Sequence, residues 1–235
     1  MATIAATVET SSHSRKADIV VDDLVLAGWT GRDKAAMEHH IAELEALGVK
    51  RPATTPIYYR VSATRLTTAN AIEVVGTDSS GEIEFVLAAT GGDLLVGLGS
   101  DHTDRKAETF GITLSKQLCD KPIATTFWHF DEIVDHWDDI VLRAYITNGS
   151  RRELYQEGTL AKMLPPTELM QGYAGAARGD AWGAALNDRT MMFGGTFAAI
   201  GGIRGAERFE GELEDTRLGR RISLGYDICC LPVLG

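Results

Sequence analysis

Three acidic residues fall within a short apolar region of the chain: Glu82 and Glu84 in GEIEFVL, and Asp101 after the next apolar run, DLLVGLGS. In an extended strand, residues i and i+2 share a face. Glu82, Glu84 and Val86 are therefore expected on one side, with Ile83, Phe85 and Leu87 on the other, facing a core. Two carboxylates about 7 Å apart repel by roughly 0.6 kcal/mol in water and by roughly 2.4 kcal/mol at an effective dielectric of 20. On a wet surface the pair is an ordinary solvated strand face. In a cleft it needs a cation. Three carboxylates form an all-oxygen site that suits a hard divalent metal, Mg²⁺ or Mn²⁺. No Cys or His cluster accompanies the acids, as a Zn²⁺ site would require.

Cations follow in DHTDRKAETFGITLSKQ, at Arg105 and Lys116. Arginine grips a carboxylate through two hydrogen bonds, and lysine acts as a point charge on an oxyanion. Taken singly, each reads as a surface cation. A second constellation lies in GRDKAAMEHHIAELEALG, where His40 and Glu43 are spaced i, i+3 and share a helix face. A carboxylate beside an imidazole raises its basicity and fixes its tautomer. Such a dyad can take a proton from water. His39 is one residue off that face and is the alternative partner if the helix bends. The bland reading is an exposed helix pair without function.

The elements that must hold these residues are mostly strands. Residues 17–27 read as β-rich, and Met37, Ile41, Leu44 and Leu47 recur at helical spacing before Gly48. From TPIYYRVS onward the pattern turns to short strands, AIEVVG, EIEFVLAA and DLLVGLG, with TDSSG and TGGD as hairpin-like connections. DEIVDHWDDIVLRAYI reads as a helix or irregular crossover with a solvated acidic face, since the spacing of a Ca²⁺ loop is missing. NGSRRELYQEGT reads as a turn and strand, PPTELMQGYAGAA as a short helix begun at Pro166 and Thr167, TMMFGGTFAAIGGI as a buried strand broken by glycines, and GRRISLGYDICCLPV as strand. The fold class is α+β, mostly β. MATIAATVETSSHSRK lacks the pattern of a signal peptide. Residues 1–16 read as a mobile tail and 17–235 as a single domain.

The 235 residues carry a formal net charge of -10, which argues against a nucleic-acid surface but leaves room for a small anionic substrate held by local cations. No apolar run approaches the roughly 20 residues of a membrane span. Cys119, Cys229 and Cys230 form no framework and read as reduced thiols in a cytoplasmic protein, as small buried hydrophobes.

In colinear order, these pieces resemble the fumarylacetoacetate hydrolase family from about residue 24 to the end. LAGWTGRDKAAMEHHIAEL resembles its glycine-led opening and H-x-x-E, and RPATTPIYYRVSATRL its Pro-rich lead into a strand. GEIEFVL resembles its metal-binding E-x-E strand, SDHTDRKAE its D-x-x-x-R-x-x-Q segment, LSKQ the later lysine, NGSRRELYQEGTLAKML its NG turn, and FGGTFAAIGG its late glycine–threonine loop. More narrowly, the chain resembles an uncharacterised branch known as a domain of unknown function. The chain departs from the pattern in three ways. The interval from Glu84 to Asp101 is short, Asp104 competes with Asp101 as third ligand, and Glu108 stands where the family has Gln.

The resemblance implies a mixed β-roll or sandwich with short helices, usually a homodimer, and Mg²⁺ or Mn²⁺ on Glu82, Glu84 and Asp101. It implies a small carboxylic acid substrate near Arg105, Glu108 and Thr196. It further implies an enolate stabilised by Lys116 and water activated by His40 and Glu43 for C–C bond cleavage in a 2,4-dioxo acid. Trp29, Tyr58, Tyr59, Trp128 and Trp182 are candidates for the pocket wall, or else packing residues. The same site can serve decarboxylation, dehydration or tautomerisation of a 2-oxo acid. A non-catalytic small-acid binder and a structural subunit completing a partner's site are readings from other classes.

Overall fold

The computed structural model describes residues 1–46, 51–178 and 186–234, apart from the side chains of His40, Glu43, Leu44, Ala46 and residues 174–178. Two sheets dominate. The larger has eight strands in the order Ser14–Val21, Ala2–Glu9, Thr126–His129, Asp93–Ser100, Ile83–Thr90, Thr190–Phe193, Asp23–Gly28 and Ile57–Val61. The smaller has five, in the order Arg151–Thr159, Val141–Asn148, Arg208–Asp215, Arg220–Leu231 and Ala71–Val75. The mostly β class with short helices is thus the observed one.

The strand Ile83–Thr90 lies near the middle of the larger sheet, and all but its last residue are buried. Ile83, Phe85 and Leu87 face a core shared with the smaller sheet, against Leu142, Phe209, Leu213 and Tyr226. Val86 and Ala88 face a second core. It consists largely of residues from the same sheet, including Ile4, Val8, Leu24, Leu26 and Phe193, so the sheet curls over its own side chains. The strand therefore has no wet face, and Glu84 shares its side with hydrophobic residues. A near-continuous apolar run is the sequence mark of a strand buried on both sides.

The TGGD turn behaves as expected. Thr90 pairs with Asp93 across Gly91 and Gly92, whose φ values of +59° and +92° suit a two-residue hairpin. TDSSG does not form a hairpin: Ala71–Val75 belongs to the smaller sheet and Ile83–Thr90 to the larger. The segment between them crosses from sheet to sheet, and its Ser79–Ser80 strand pairs with Thr103–Asp104. The acidic stretch around residue 135 forms two 3-10 turns, Phe130–Glu132 and Val134–Asp139, not a solvated helix. Two of its side chains are tied inward: His136 Nε2 lies 2.9 Å from Asp215 Oδ1, and Glu132 Oε2 lies 2.8 Å from Arg220.

The early helix spans Lys34–Ala46, and Asp33 Oδ1 caps it by accepting from the Ala35 and Ala36 amides at 3.0 Å. The later helix, Pro166–Arg178, begins at the proline, as read from sequence. Cys119 is buried, but Cys229 and Cys230 are exposed, at the end of a strand that pairs there with Ala71–Val75 and runs past its ladder with Arg208–Asp215. Among the described residues, no helix is long and apolar enough to cross a membrane.

The N-terminal residues do not form a mobile tail. Ala2–Glu9 pairs with Ser14–Val21 along its length and with Thr126–His129 on its other side. Ile4, Ala6 and Val8 enter the second core. Their alternation was present in the sequence, but the Ala and Thr residues interspersed with them weaken it. We expect Val8→Ala, at a site with no solvent exposure, to lower the unfolding free energy in urea by about 2 kcal/mol. A change below a few tenths of a kcal/mol would restore the tail.

Candidate active site

The hairpin formed by Ile83–Thr90 and Asp93–Ser100 sets the site. Ile83 pairs with Ser100, and the ladder continues one step further through a 2.9 Å bond from the Asp101 amide to Glu82 O. Glu82 and Asp101 thereby become cross-strand neighbours. Glu84 stands opposite Gly99, where a Cβ would lie 2.5 Å from the Phe193 ring. A carboxylate oxygen from each of Glu82, Glu84 and Asp101 lies within 4.8 Å of the other two. The short interval between Glu84 and Asp101 follows from the two-residue turn. Asp104 is not part of this group: its Oδ1 accepts from the Ala107 amide at 2.9 Å and caps the turn Arg105–Glu108.

Each acid has its own holders. Asp101, 1 % exposed, is gripped on both oxygens, Oδ2 by Lys116 Nζ and Oδ1 by Lys121 Nζ at 3.1 Å. Lys121 has no exposure and also donates to His102 O at 2.6 Å. Glu82 lies 3.0 Å from Arg105 and 3.4 Å from Lys116. Glu84 Oε2 accepts from the Gly195 amide at 2.7 Å. Gly195 has φ +96°, and a Cβ there would lie 1.9 Å from Thr30 Oγ1, so the residue must be glycine to present that amide.

The charges follow from this arrangement. Burial pushes the Glu84 carboxyl well above its usual range, and the neighbouring Asp101 and Glu82 add to the effect. Burial also disfavours an ionised Asp101, but Lys116 and Lys121 outweigh it and hold the group below its usual value. For Lys116, burial pulls the pKa down, yet Asp101, Glu82 and Glu84 together raise it, so the ammonium stays protonated.

The remaining expected site residues are placed as follows. Arg105 lies 3.2 Å from Glu108 and donates through Nε to Ser80 Oγ at 2.8 Å, so that it is fixed in place against Glu82. Tyr59 is buried, with its ring centroid 6.0 Å from Lys116 Nζ. Thr196 donates its hydroxyl to Ile83 O at 2.7 Å and accepts from Gln156 Nε2 at 2.7 Å, which fixes the glycine–threonine loop to the E-x-E strand. His40 and Glu43 belong to the helix Lys34–Ala46, but their side chains lie outside the described residues; His39 is exposed. Trp182 also lies outside them. Tyr58 donates to Leu169 O at 2.9 Å, and Trp128 is packed in the core away from solvent.

Several members of the site were missed from sequence. Lys121 follows a cysteine and an aspartate with no motif around it, though an isolated lysine leading into PIA is a weak sign of burial. His102, with no exposure, is bonded through Nδ1 to Tyr226 and through Nε2 to Ser79, each at 2.9 Å. These contacts join residues far apart in the chain, and no local pattern shows them.

The donor set fits a hard divalent cation. It has three oxygens within reach of one point, and two of the three acids are buried, where their mutual repulsion demands positive charge. The family model described as a protein of unknown function (DUF2848) matches residues 27–226. The chain belongs to that family. No curated protein matches it. Its fold is shared with solved structures of the fumarylacetoacetate hydrolase family. The yeast family protein ynq8 has 18% identity and a TM-score of 0.62, over 91% of this chain and 95% of that one. A fumarylacetoacetate hydrolase from Exiguobacterium antarcticum has 16% identity and a TM-score of 0.61, over 93% and 79%. A 2-keto-3-deoxy-D-arabinonate dehydratase complexed with magnesium and 2,5-dioxopentanoate has 16% identity and a TM-score of 0.63, over 94% and 77%.

Two measurements probe the site's framework. Lys121→Met leaves the buried Asp101 with one partner fewer, and the expected loss is about 3–5 kcal/mol in denaturant unfolding. Burial, then the charges of Lys121 and Arg105, push the His102 pKa from 6.5 down to about 3. The folded state thus favours the neutral ring. Its contribution is complete above about pH 6.5 and is lost as the pH falls toward 3. Stability curves of the wild type and His102→Gln should therefore diverge by several kcal/mol across that window; parallel curves would refute a buried neutral imidazole.

Proposed function

We propose that the chain is a divalent-metal-dependent hydrolase that cleaves a C–C bond in a 2,4-dioxo acid of the acylpyruvate type. The observation that carries this reading is the cluster of Glu82, Glu84 and Asp101, the last two buried, on a fold shared with fumarylacetoacetate hydrolase family proteins. Those three side chains would hold Mg²⁺ or Mn²⁺. Once bound, the metal supplies Lewis acidity and a template for the carboxylate and keto oxygens of a 2-oxo acid.

The chain's own residues do the rest. Lys116 carries a permanent ammonium beside the cluster and balances negative charge that develops on the substrate as it becomes an enolate. Lys121 and Arg105 hold the Asp101 and Glu82 carboxylates in position. Arg105, Glu108, Tyr59 and Thr196 border the space for the acid. His40 and Glu43, on the early helix, are assigned the proton of the attacking water. The protein is read as a cytoplasmic homodimer.

A second reading uses the same cluster for dehydration, decarboxylation or tautomerisation of a 2-oxo acid. The specific support is the fold neighbour that is a dehydratase complexed with magnesium. A non-catalytic acid binder is the third.

A panel of 2-oxo and 2,4-dioxo acids, assayed with chelator and with added Mg²⁺ or Mn²⁺, tests the assignment. We expect cleavage of a 2,4-dioxo acid only with metal, with oxygen from labelled water appearing in the product. Glu84→Gln should lower kcat/KM by more than about 100-fold, and Glu43→Gln should abolish turnover while binding is kept. Turnover without uptake of labelled oxygen would reject hydrolysis in favour of the second reading. No activity in any background would favour the binder.

A further inference from the structure

Lys116 already occupies oxygens that a divalent ion on this cluster would need. Its Nζ bonds Asp101 Oδ2 and lies 3.4 Å from Glu82 Oε2, and the nearby Glu84 carboxylate adds to the field that keeps it charged. Two of the three candidate metal ligands are therefore already ion-paired with one ammonium, and the third, Glu84, is near enough to favour its charge. A doubly charged ion reaching the same oxygens repels that ammonium and competes for the same lone pairs.

The two lysines on Asp101 are not equivalent in this respect. Lys121 is locked from behind by His102 O at 2.6 Å and touches only the Oδ1 side of Asp101. Lys116 projects from the short helix Ile112–Leu118, whose Leu114 and Leu118 are about half exposed (51% and 49%). The ammonium also has a place to go. The face of Tyr59 lies 6.0 Å from Nζ, within range of a cation–π contact. Glu108, 31% exposed, has Arg105 as its one ion-pair partner among the described residues, and its charge bears on the Tyr59 hydroxyl, as that of Lys116 does.

We propose that Lys116 is a tethered counter-ion that holds the three carboxylates together before the metal arrives, and that the metal displaces it toward Tyr59 and Glu108. The inference rests on the metal site proposed above. It makes Lys116 available to substrate only when the site is loaded, so the same cation serves first in folding and then in binding the acid.

The test is a Mn²⁺ titration of the full chain, with the free ion followed by electron paramagnetic resonance, on the wild type, Lys116→Met and Glu84→Gln. Removing the competing charge should tighten Mn²⁺ binding at least about tenfold in Lys116→Met, and Glu84→Gln should lose it. If the wild type binds through Glu84 but Lys116→Met binds no more tightly, the metal reading stands and displacement is refuted. If neither the wild type nor Lys116→Met binds at several millimolar Mn²⁺, the metal reading fails and displacement fails with it. Circular dichroism checks that Lys116→Met folds. If it does not, Tyr59→Leu serves instead: losing the receiving ring should weaken Mn²⁺ binding several-fold, and unchanged affinity would refute the proposal.

Discussion

The site is organised by the capture of one buried carboxylate between two ammonium groups. Asp101 is almost wholly removed from water and would not be ionised there without Lys116 and Lys121. Removing a carboxylate from water carries a penalty of several kcal/mol, which close opposite charges offset only when the geometry is well fixed. That requirement accounts for much of the surrounding structure. The crossover carrying Ser79 and Ser80 and the His102–Tyr226 contact fix His102, whose carbonyl keeps Lys121 in place.

The other two acids are treated differently. Glu82 is partly open and is held by an arginine and a lysine; Glu84 is enclosed and, among the described residues, is held by a backbone amide. The cluster therefore contains one firmly ionised group, one shared group and one that resists ionisation until further positive charge arrives. A set of identical carboxylates becomes chemically unequal through burial and partner choice alone.

Much of this was legible in the sequence where the signal was local. Alternation placed Glu82 and Glu84 on one side of a strand, and the glycine pair marked the hairpin that brings Asp101 beside them. Cations at 105 and 116 stood out by their nearness to Asp101. What was not legible depended on contacts between distant segments. Lys121 has no motif, and only the parallel pairing of Lys121–Pro122 with Leu66–Thr67 turns it inward. The N-terminal strands were missed because Ala and Thr dilute their alternation. The second core behind Glu84 could not be read either, since the curling of a sheet is a property of all its strands together.

The Thr90–Asp93 turn has a consequence for how this chain can change length. Its corners at Thr90 and Asp93 lie six residues from Glu84, eight from Glu82 and eight from Asp101, roughly 20–25 Å at the usual rise. Residues added at the tip lengthen a surface loop and leave the ladder in register. One residue added within either arm reverses the facing of everything between it and the carboxylates, so that a hydrophobic side chain takes the place of an acid. The outer end of the hairpin is thereby the place where this chain can take up added length, while the spacing along each arm is fixed by the site.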